Sequence, residues 1–92
     1  MNVQLISSKD IETFLRQRIA SDLDMDENTI QADTDLTEIG LSSVLISFIE
    51  GDLESWLGVE IPPAMLFQMS NIGEAAKVLE ELQKSSLSEN IN

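Results

Sequence analysis

The sequence predicts a small all-α protein: a four-helix bundle with three longer helices, a short third helix and a long loop between helices 1 and 2. Apolar residues recur at helical spacing in several segments, and no segment of useful length alternates apolar and polar residues as a strand would. The 92 residues, 42% of them apolar, suit one folded domain. We expect that domain over residues 1–84 and a disordered tail over residues 85–92.

The first half of the chain predicts one helix followed by a long acidic loop. Helix 1 is expected over residues 9–23, with Ser8 as its N-cap. The apolar residues at helical spacing in this helix are Ile11, Phe14, Leu15, Ile19 and Leu23. The loop over residues 24–41 is expected to be pinned to the core by single apolar anchors, namely Met25, Ile30, Leu36 and Ile39.

The second half predicts three more helices. Helix 2 should begin at Ser42 or Ser43 and end at Gly58, which suits a left-handed C-terminal position. Pro63 is tolerated in the first turn of a short helix 3 that ends near residue 69. Asn71 and Glu74 form a capping box for helix 4, whose apolar stripe consists of Ile72, Ala75, Ala76, Leu79 and Leu82.

The charge distribution excludes some classes of partner. The formal net charge is -12, and all five basic residues lie near the two ends of the chain. The middle of the chain is therefore strongly acidic, which disfavours nucleic acid and anionic membranes and favours partners with basic patches. No apolar run could cross a bilayer, so we expect a soluble, cytoplasmic protein. Without cysteine or histidine, disulfides and the usual zinc sites are excluded.

Two adjacent serines, Ser42 and Ser43, precede the apolar part of helix 2. A serine nucleophile needs a nearby base, and the chain has no histidine, while the nearest lysine in sequence is Lys9. Intrinsic catalysis is therefore not expected. Helix capping is one role for these serines, and covalent modification by another protein is a second. Two consecutive serines allow one to cap while the other stays exposed.

Residues 22–33 resemble the beginning of an EF-hand calcium loop, with Asp at positions 1, 3 and 5. Glu27 occupies position 6, where the sharp turn needs glycine, and Asp33 occupies position 12, where a bidentate glutamate is needed. A solvated acidic loop is therefore expected, with no specific metal site.

Helix 2 has more apolar surface than one core-facing stripe requires. Its core stripe consists of Ile46, Ile49, Leu53 and Leu57, and a second apolar side consists of Val44, Leu45, Phe48 and Trp56. For Phe48 two interpretations remain open: helix 2 is sandwiched between neighbours, or this side is exposed for a partner. Exposure is expected for Val44 and Leu45. The surrounding acids are Glu50, Asp52 and Glu54.

Residues 34–82 resemble the acyl carrier protein and peptidyl carrier protein family in two linked motifs. The motif before helix 2 is matched by Asp33 or Asp35, Leu36, Gly40, Leu41, Ser43 and Val44. The motif leading into helix 4 is matched by Gly58, Val59, Ile61, Pro62, Leu66, Phe67 and Ile72. The second motif is closer to the carriers of polyketide and non-ribosomal peptide synthesis than to the fatty-acid ones.

The resemblance implies a non-catalytic carrier with an acyl-carrier-protein-like fold. It implies that Ser43 receives phosphopantetheine from coenzyme A, installed by a magnesium-dependent phosphopantetheinyl transferase, and that the thiol of this arm carries acyl or aminoacyl thioesters. The residue before the modified serine is commonly Asp or His in the family, and here it is Ser42. This departure raises the alternative that Ser42 is the residue modified.

The implied partners are the transferase and synthase enzymes: a ketosynthase, an acyl- or adenylate-loading enzyme, tailoring enzymes or a thioesterase. We expect a monomer that docks through Val44, Leu45 and Phe48, with Glu50, Asp52 and Glu54 meeting basic residues on the partner. The alternative function is an unmodified acidic helical adaptor that binds a partner protein or divalent ions.

Overall fold

Three α-helices and two short 3-10 turns make up the regular structure of the computed structural model, which describes residues 4–89 and the side chains of residues 4–87. In chain order they are α1 (Ser8–Leu23), a first 3-10 turn (Glu27–Thr29), α2 (Ser43–Leu57), a second 3-10 turn (Met65–Gln68) and α3 (Ile72–Glu89). Residues 4–89 contain no β-strand, only an isolated bridge between Asp35 and Asn71. The predicted all-α class is therefore confirmed.

The predicted short third helix is a 3-10 turn, so the four-helix bundle is not confirmed in that detail. The N–H groups of Met65 and Phe67 donate to carbonyls three residues earlier, Pro62 and Ala64, each at 3.1 Å. Ala64 itself adopts left-handed backbone, with φ 63°. Because a right-handed helix cannot pass through such a residue, no helix can continue from Pro63 into the turn.

The ends of α1 and α2 follow from local capping. The Ser7 hydroxyl, and not that of Ser8, accepts a hydrogen bond from the Asp10 N–H at 3.2 Å, so α1 begins one residue earlier than predicted. Gly58 ends α2 with φ 71° and donates its N–H to the Glu54 carbonyl at 2.8 Å. The predicted left-handed glycine at this end is confirmed.

Helix α3 corresponds to the predicted helix 4. The Asn71 side chain accepts from the Glu74 N–H at 2.8 Å, as predicted for the cap, and the Glu74 carboxylate reaches back to the Ser70 N–H at 2.6 Å. The helix continues through residues 85–89, which the sequence assigned to a disordered tail. Residues 90–92 of that tail lie outside the described residues. No helix within residues 4–89 is both long and apolar enough to cross a membrane.

The core lies between the predicted apolar stripes of the three helices. Helices α1 and α3 pack against each other, and the stripe of α2 faces the same interior. Contributors from the helices that are almost fully buried are Ile11, Leu15, Ile19, Ile46, Ile49, Leu53, Leu57, Ile72, Ala75, Ala76 and Leu79. These stripes are confirmed, with Phe14, Leu23 and Leu82 only partly buried at their edges.

The long loop is fastened to the helices at several points. Ile30 and Leu36 are buried anchors, as predicted, whereas Met25 is 39% exposed and is not an anchor. The Arg16 side chain donates to the Ile30 carbonyl at 2.7 Å, and the Gly73 N–H of α3 donates to the loop at 2.8 Å. The loop therefore approaches Ser43 along a fixed path.

A buried glutamine ties the two ends of the domain together. The Gln83 side chain on α3 is 0% exposed. Its Oε1 accepts from the Ile6 N–H at 2.8 Å, and its Nε2 donates to the carbonyls of Gln4 at 3.1 Å and Leu57 at 3.0 Å. One side chain thus joins the N-terminal segment, the last residue of α2 and the late turns of α3.

Candidate functional site

Ser43 is the first residue of α2, and its side chain is exposed. Among the described residues, its hydroxyl makes no hydrogen bond. Gly40, with φ 86°, turns the end of the long loop toward this helix, while Ile39 and Leu41 pack against the core on either side of it. The hydroxyl is therefore held at a fixed place on the surface and is open to another molecule.

Ser42 has the structural role that Ser43 lacks. It has extended backbone and is the N-cap of α2, with its Oγ accepting from the Leu45 N–H at 3.2 Å. Its carbonyl accepts from the Ile46 N–H at 3.0 Å. Both serines are exposed, and they differ in that the Ser42 hydroxyl caps the helix while the Ser43 hydroxyl makes no hydrogen bond among the described residues.

The electrostatic setting of Ser43 suits a phosphate ester. The start of a helix carries unpaired N–H groups and the positive end of the helix dipole. The first turn of α2 contains no acidic residue that would offset this field. A phosphodiester on the Ser43 oxygen would place its negative charge where the helix favours it.

An apolar surface follows Ser43 along α2. Val44 is 61% exposed and Phe48 is 64% exposed, one helical turn apart, while Leu45 is partly buried. The open question about Phe48 is thereby resolved in favour of exposure. Trp56 differs from them, since its ring packs on that of Phe14 with centroids 5.0 Å apart and planes tilted by 40°.

The three acids predicted to surround this surface do not form a ring of free charges. Glu50 is buried, and both its oxygens accept backbone N–H groups from the second 3-10 turn and the residue before it. Glu54 is half-buried and accepts the Ile61 N–H at 2.7 Å. Asp52 is exposed but paired with Arg18, whose pKa is raised chiefly by its hydrogen bond to Asp52. The prediction that Glu50 meets basic residues of a partner is therefore wrong, because its side chain is buried.

The acidic loop does not assemble a metal site in the part of the chain that the structure describes. No group of three or more potential ligand side chains converges there. Asp22 pairs with Arg18 at 2.9 Å, and Asp26 caps the first 3-10 turn by accepting the Asn28 N–H at 2.9 Å. Asp22 of α1 and Asp26 of the loop therefore serve local structure.

These features define a class of protein: a small helical domain that presents one uncommitted serine at a helix start, beside an exposed apolar surface. The sequence profile described as "Phosphopantetheine attachment site" matches residues 13–79. The chain belongs to this family. Members of this family carry phosphopantetheine as a covalently attached group.

Curated relatives agree with the family. A phenolphthiocerol/phthiocerol polyketide synthase subunit of Mycobacterium tuberculosis is 30% identical over 70 residues, which is 76% of this chain and 4% of the relative. The synthase subunit of the same name from Mycobacterium bovis matches equally. The chain thus spans a small part of these relatives, of the size of one carrier domain.

Solved structures share the fold. A free-standing peptidyl carrier protein from a secondary metabolic pathway of Acinetobacter baumannii superposes with a TM-score of 0.75 at 25% identity, covering 82% of this chain and 94% of that one. An acyl carrier protein from Anabaena sp. PCC 7120 with a variant phosphopantetheinylation-site sequence gives 0.74 at 32% identity, covering 89% and 97%. The HMG-ACPI domain of CurA from Lyngbya majuscula, at 18% identity, gives 0.69 and shows the fold alone, covering 94% and 90%.

Proposed function

We propose that Ser43 is the residue to which the phosphopantetheine arm is attached, and that the arm carries acyl or aminoacyl thioesters of polyketide or non-ribosomal peptide synthesis. One observation carries the assignment: of these two exposed serines, Ser42 has its hydroxyl engaged as a helix cap, whereas the Ser43 hydroxyl makes no hydrogen bond among the described residues. The relatives named as part of a polyketide synthase and as a carrier of secondary metabolism support this class of cargo.

The chemistry divides between the chain and its arm. The Ser43 oxygen forms the phosphodiester to the arm, the rest of coenzyme A leaves, and the hydroxyl proton passes to the transferase that catalyses the step. The chain contains no cysteine, so the thiol that bears the cargo comes with the arm. Partner enzymes then exchange the cargo at that thiol.

The partners proposed are a phosphopantetheinyl transferase and synthase enzymes such as a ketosynthase, a loading enzyme, a tailoring enzyme or a thioesterase. The chain acts as one carrier domain that includes the whole of α3, so the domain extends beyond residue 84. The carrier works as a monomer, since one chain supplies both the serine and the docking helix. The unmodified adaptor is not favoured, because the matched family is defined by the attachment site.

The attachment is tested by intact-mass measurement after incubation with coenzyme A, Mg²⁺ and a broad-specificity phosphopantetheinyl transferase. We expect one added arm per chain, with fragment ions placing it on Ser43, and no added mass when the transferase is omitted. An arm on Ser42, or no arm at all, contradicts the assignment.

The docking surface is proposed to consist of Val44, Leu45 and Phe48, with Asp52 as the exposed acid beside them. Phe48→Ala is expected to raise the carrier's KM with a partner enzyme about tenfold, because exposed aromatic residues at interface centres commonly contribute about 1–2 kcal/mol or more to binding. Stability should change little, since the side chain is 64% exposed. Steady-state kinetics with the transferase, at varied carrier concentration, measures this.

Leu5→Ala is the matched control for Phe48→Ala. Leu5 is also exposed, at 52%, and lies beside the Ile6 and Gln4 groups that Gln83 joins to the last residue of α2. It is therefore at the far end of a 15-residue helix, roughly 20 Å from Ser43. Equal effects of the two substitutions on KM would show that Phe48 has no special part in docking.

A further inference from the structure

Glu50 is a charged side chain in the interior whose partners are backbone groups. It is 7% exposed, and its two carboxylate oxygens accept separate hydrogen bonds from the Ala64 N–H at 3.1 Å and the Leu66 N–H at 3.0 Å. No salt bridge within the described residues includes it. A buried carboxylate is tolerated when its oxygens are satisfied in this way.

The segment that Glu50 holds stabilises its own conformation only in part. Ala64, in left-handed backbone with φ 63°, precedes the second 3-10 turn and offers no side-chain cap to it. That conformation is unfavourable for alanine. The N–H groups of Met65 and Phe67 donate to carbonyls within the segment, whereas those of Ala64 and Leu66 have their acceptor outside it. Glu50 supplies the acceptor from α2.

A second carboxylate on the same face of α2 holds the same segment. Glu54, one helical turn after Glu50, accepts the Ile61 N–H at 2.7 Å. Two carboxylates at this spacing on a helix repel each other. Other groups must therefore stabilise both of them in the folded structure. The backbone N–H groups of residues 61–66 provide this stabilisation.

This segment lies along the side of α2 that leads from Ser43. Ser47 is one turn after Ser43 and therefore shares its helical face. A shallow groove is lined by Ser47, Glu50, Gly51 and Glu54 of α2 and by Ile61 and Pro63 of the segment. The segment that Glu50 and Glu54 fasten therefore forms the wall of the groove opposite α2. The groove begins at Ser47, one turn from Ser43.

We propose that Glu50, assisted by Glu54, is a positioning residue that fastens residues 61–66 to the helix bearing Ser43. The fastened segment forms a fixed wall beside the attachment serine, and the enzymes that act there meet a preformed surface. Loss of the fastening should leave the helices intact while this wall becomes mobile.

The first measurement is native-state amide hydrogen exchange in Glu50→Leu and Glu50→Gln. In Glu50→Leu we expect the Ala64 and Leu66 amides to exchange at least about tenfold faster, with amides of α1 unchanged. Glu50→Gln keeps the size but has one acceptor oxygen, so a smaller increase is expected. Glu54→Leu, which has no acceptor oxygen, should affect the Ile61 amide and not those of Ala64 and Leu66.

Glu60→Gln is the matched control, because it removes the same charge from an exposed side chain that makes no hydrogen bond among the described residues. Its exchange pattern should equal that of the native chain. Unchanged protection of Ala64 and Leu66 in Glu50→Leu would overturn the fastening role.

The second measurement is the kinetics of arm attachment, and it alone rests on the proposed function. In Glu50→Leu we expect the KM for the carrier to rise about three- to tenfold, with kcat within about twofold, since the serine itself is unaltered. Faster exchange with an unchanged KM would refute the link to recognition. If the native chain accepts no arm, the proposed function fails, while the exchange result still decides whether Glu50 fastens the segment.

Discussion

Ser43→Ala is expected to abolish attachment of the arm completely. The substitution removes the only atom of residue 43 that can form the phosphodiester, and the capped geometry of Ser42 keeps its Oγ turned to the Leu45 N–H at 3.2 Å. Intact-mass spectra of the purified variant, after incubation with coenzyme A and a transferase, should show no added mass. Because residue 43 is exposed, its urea unfolding should stay within about 0.5 kcal/mol of the native chain.

Substitutions of Ser42 provide the matched comparison. Ser42→Ala should still accept the arm, but it loses the cap of α2 and about 1 kcal/mol of folding free energy. Ser42→Asp restores a good capping group and should recover that stability while remaining a substrate. An arm that persists in Ser43→Ala and disappears in Ser42→Ala would reverse the roles assigned to the two serines.

The separation of the two serines was visible in the sequence only as a possibility. Helical periodicity predicts that α2 begins at Ser42 or Ser43 and does not distinguish between them. The exact first residue of the helix determines which of the two hydroxyls is the N-cap. Resemblance to a family favours Ser43, and the observed hydrogen bond from the Leu45 N–H to the Ser42 Oγ shows which of the two hydroxyls serves as the cap.

The core was predictable and the buried polar groups were not. Glu50 follows Ile46 by four residues and precedes Leu53 by three, so it occupies a position of the core stripe. Its charge led to its interpretation as a surface contact. The register was the signal that could have placed it correctly, but the acceptor's partners, Ala64 and Leu66, are distant N–H groups that no local pattern reveals.

The second 3-10 turn was also not predicted correctly from the sequence. The two prolines and the apolar residues after them are consistent with a short helix, and they do not specify the left-handed backbone of Ala64. Local propensity disfavours this conformation at alanine, and the Ala64 N–H donates to Glu50 of α2, which is distant in sequence. Sequence patterns therefore predicted the helices that build the domain better than the segment that shapes the surface beside Ser43.

Gln83 occupies the same register position in α3 that Glu50 occupies in α2, four residues after a fully buried apolar residue. Gln83→Leu is expected to destabilise the domain by about 2–4 kcal/mol. The substitution removes three hydrogen bonds at 2.8–3.1 Å, each contributing on the order of 1 kcal/mol, and leaves the buried Leu57 carbonyl without this partner. For a domain of this size, such a loss is a large fraction of a total of roughly 5–14 kcal/mol.

Urea unfolding followed by circular dichroism measures this loss, with Gln17→Leu as the matched control. Gln17 is exposed in the middle of α1, so the same exchange there should stay within about 0.5 kcal/mol. Amide exchange adds a local readout, because the Ile6 N–H loses its acceptor in Gln83→Leu and should exchange faster than in Gln17→Leu. If Gln83→Leu unfolds within about 1 kcal/mol of the native chain at an unchanged m-value, apolar packing of leucine replaces the three hydrogen bonds. The glutamine would then not be what joins the N-terminal segment to the ends of α2 and α3.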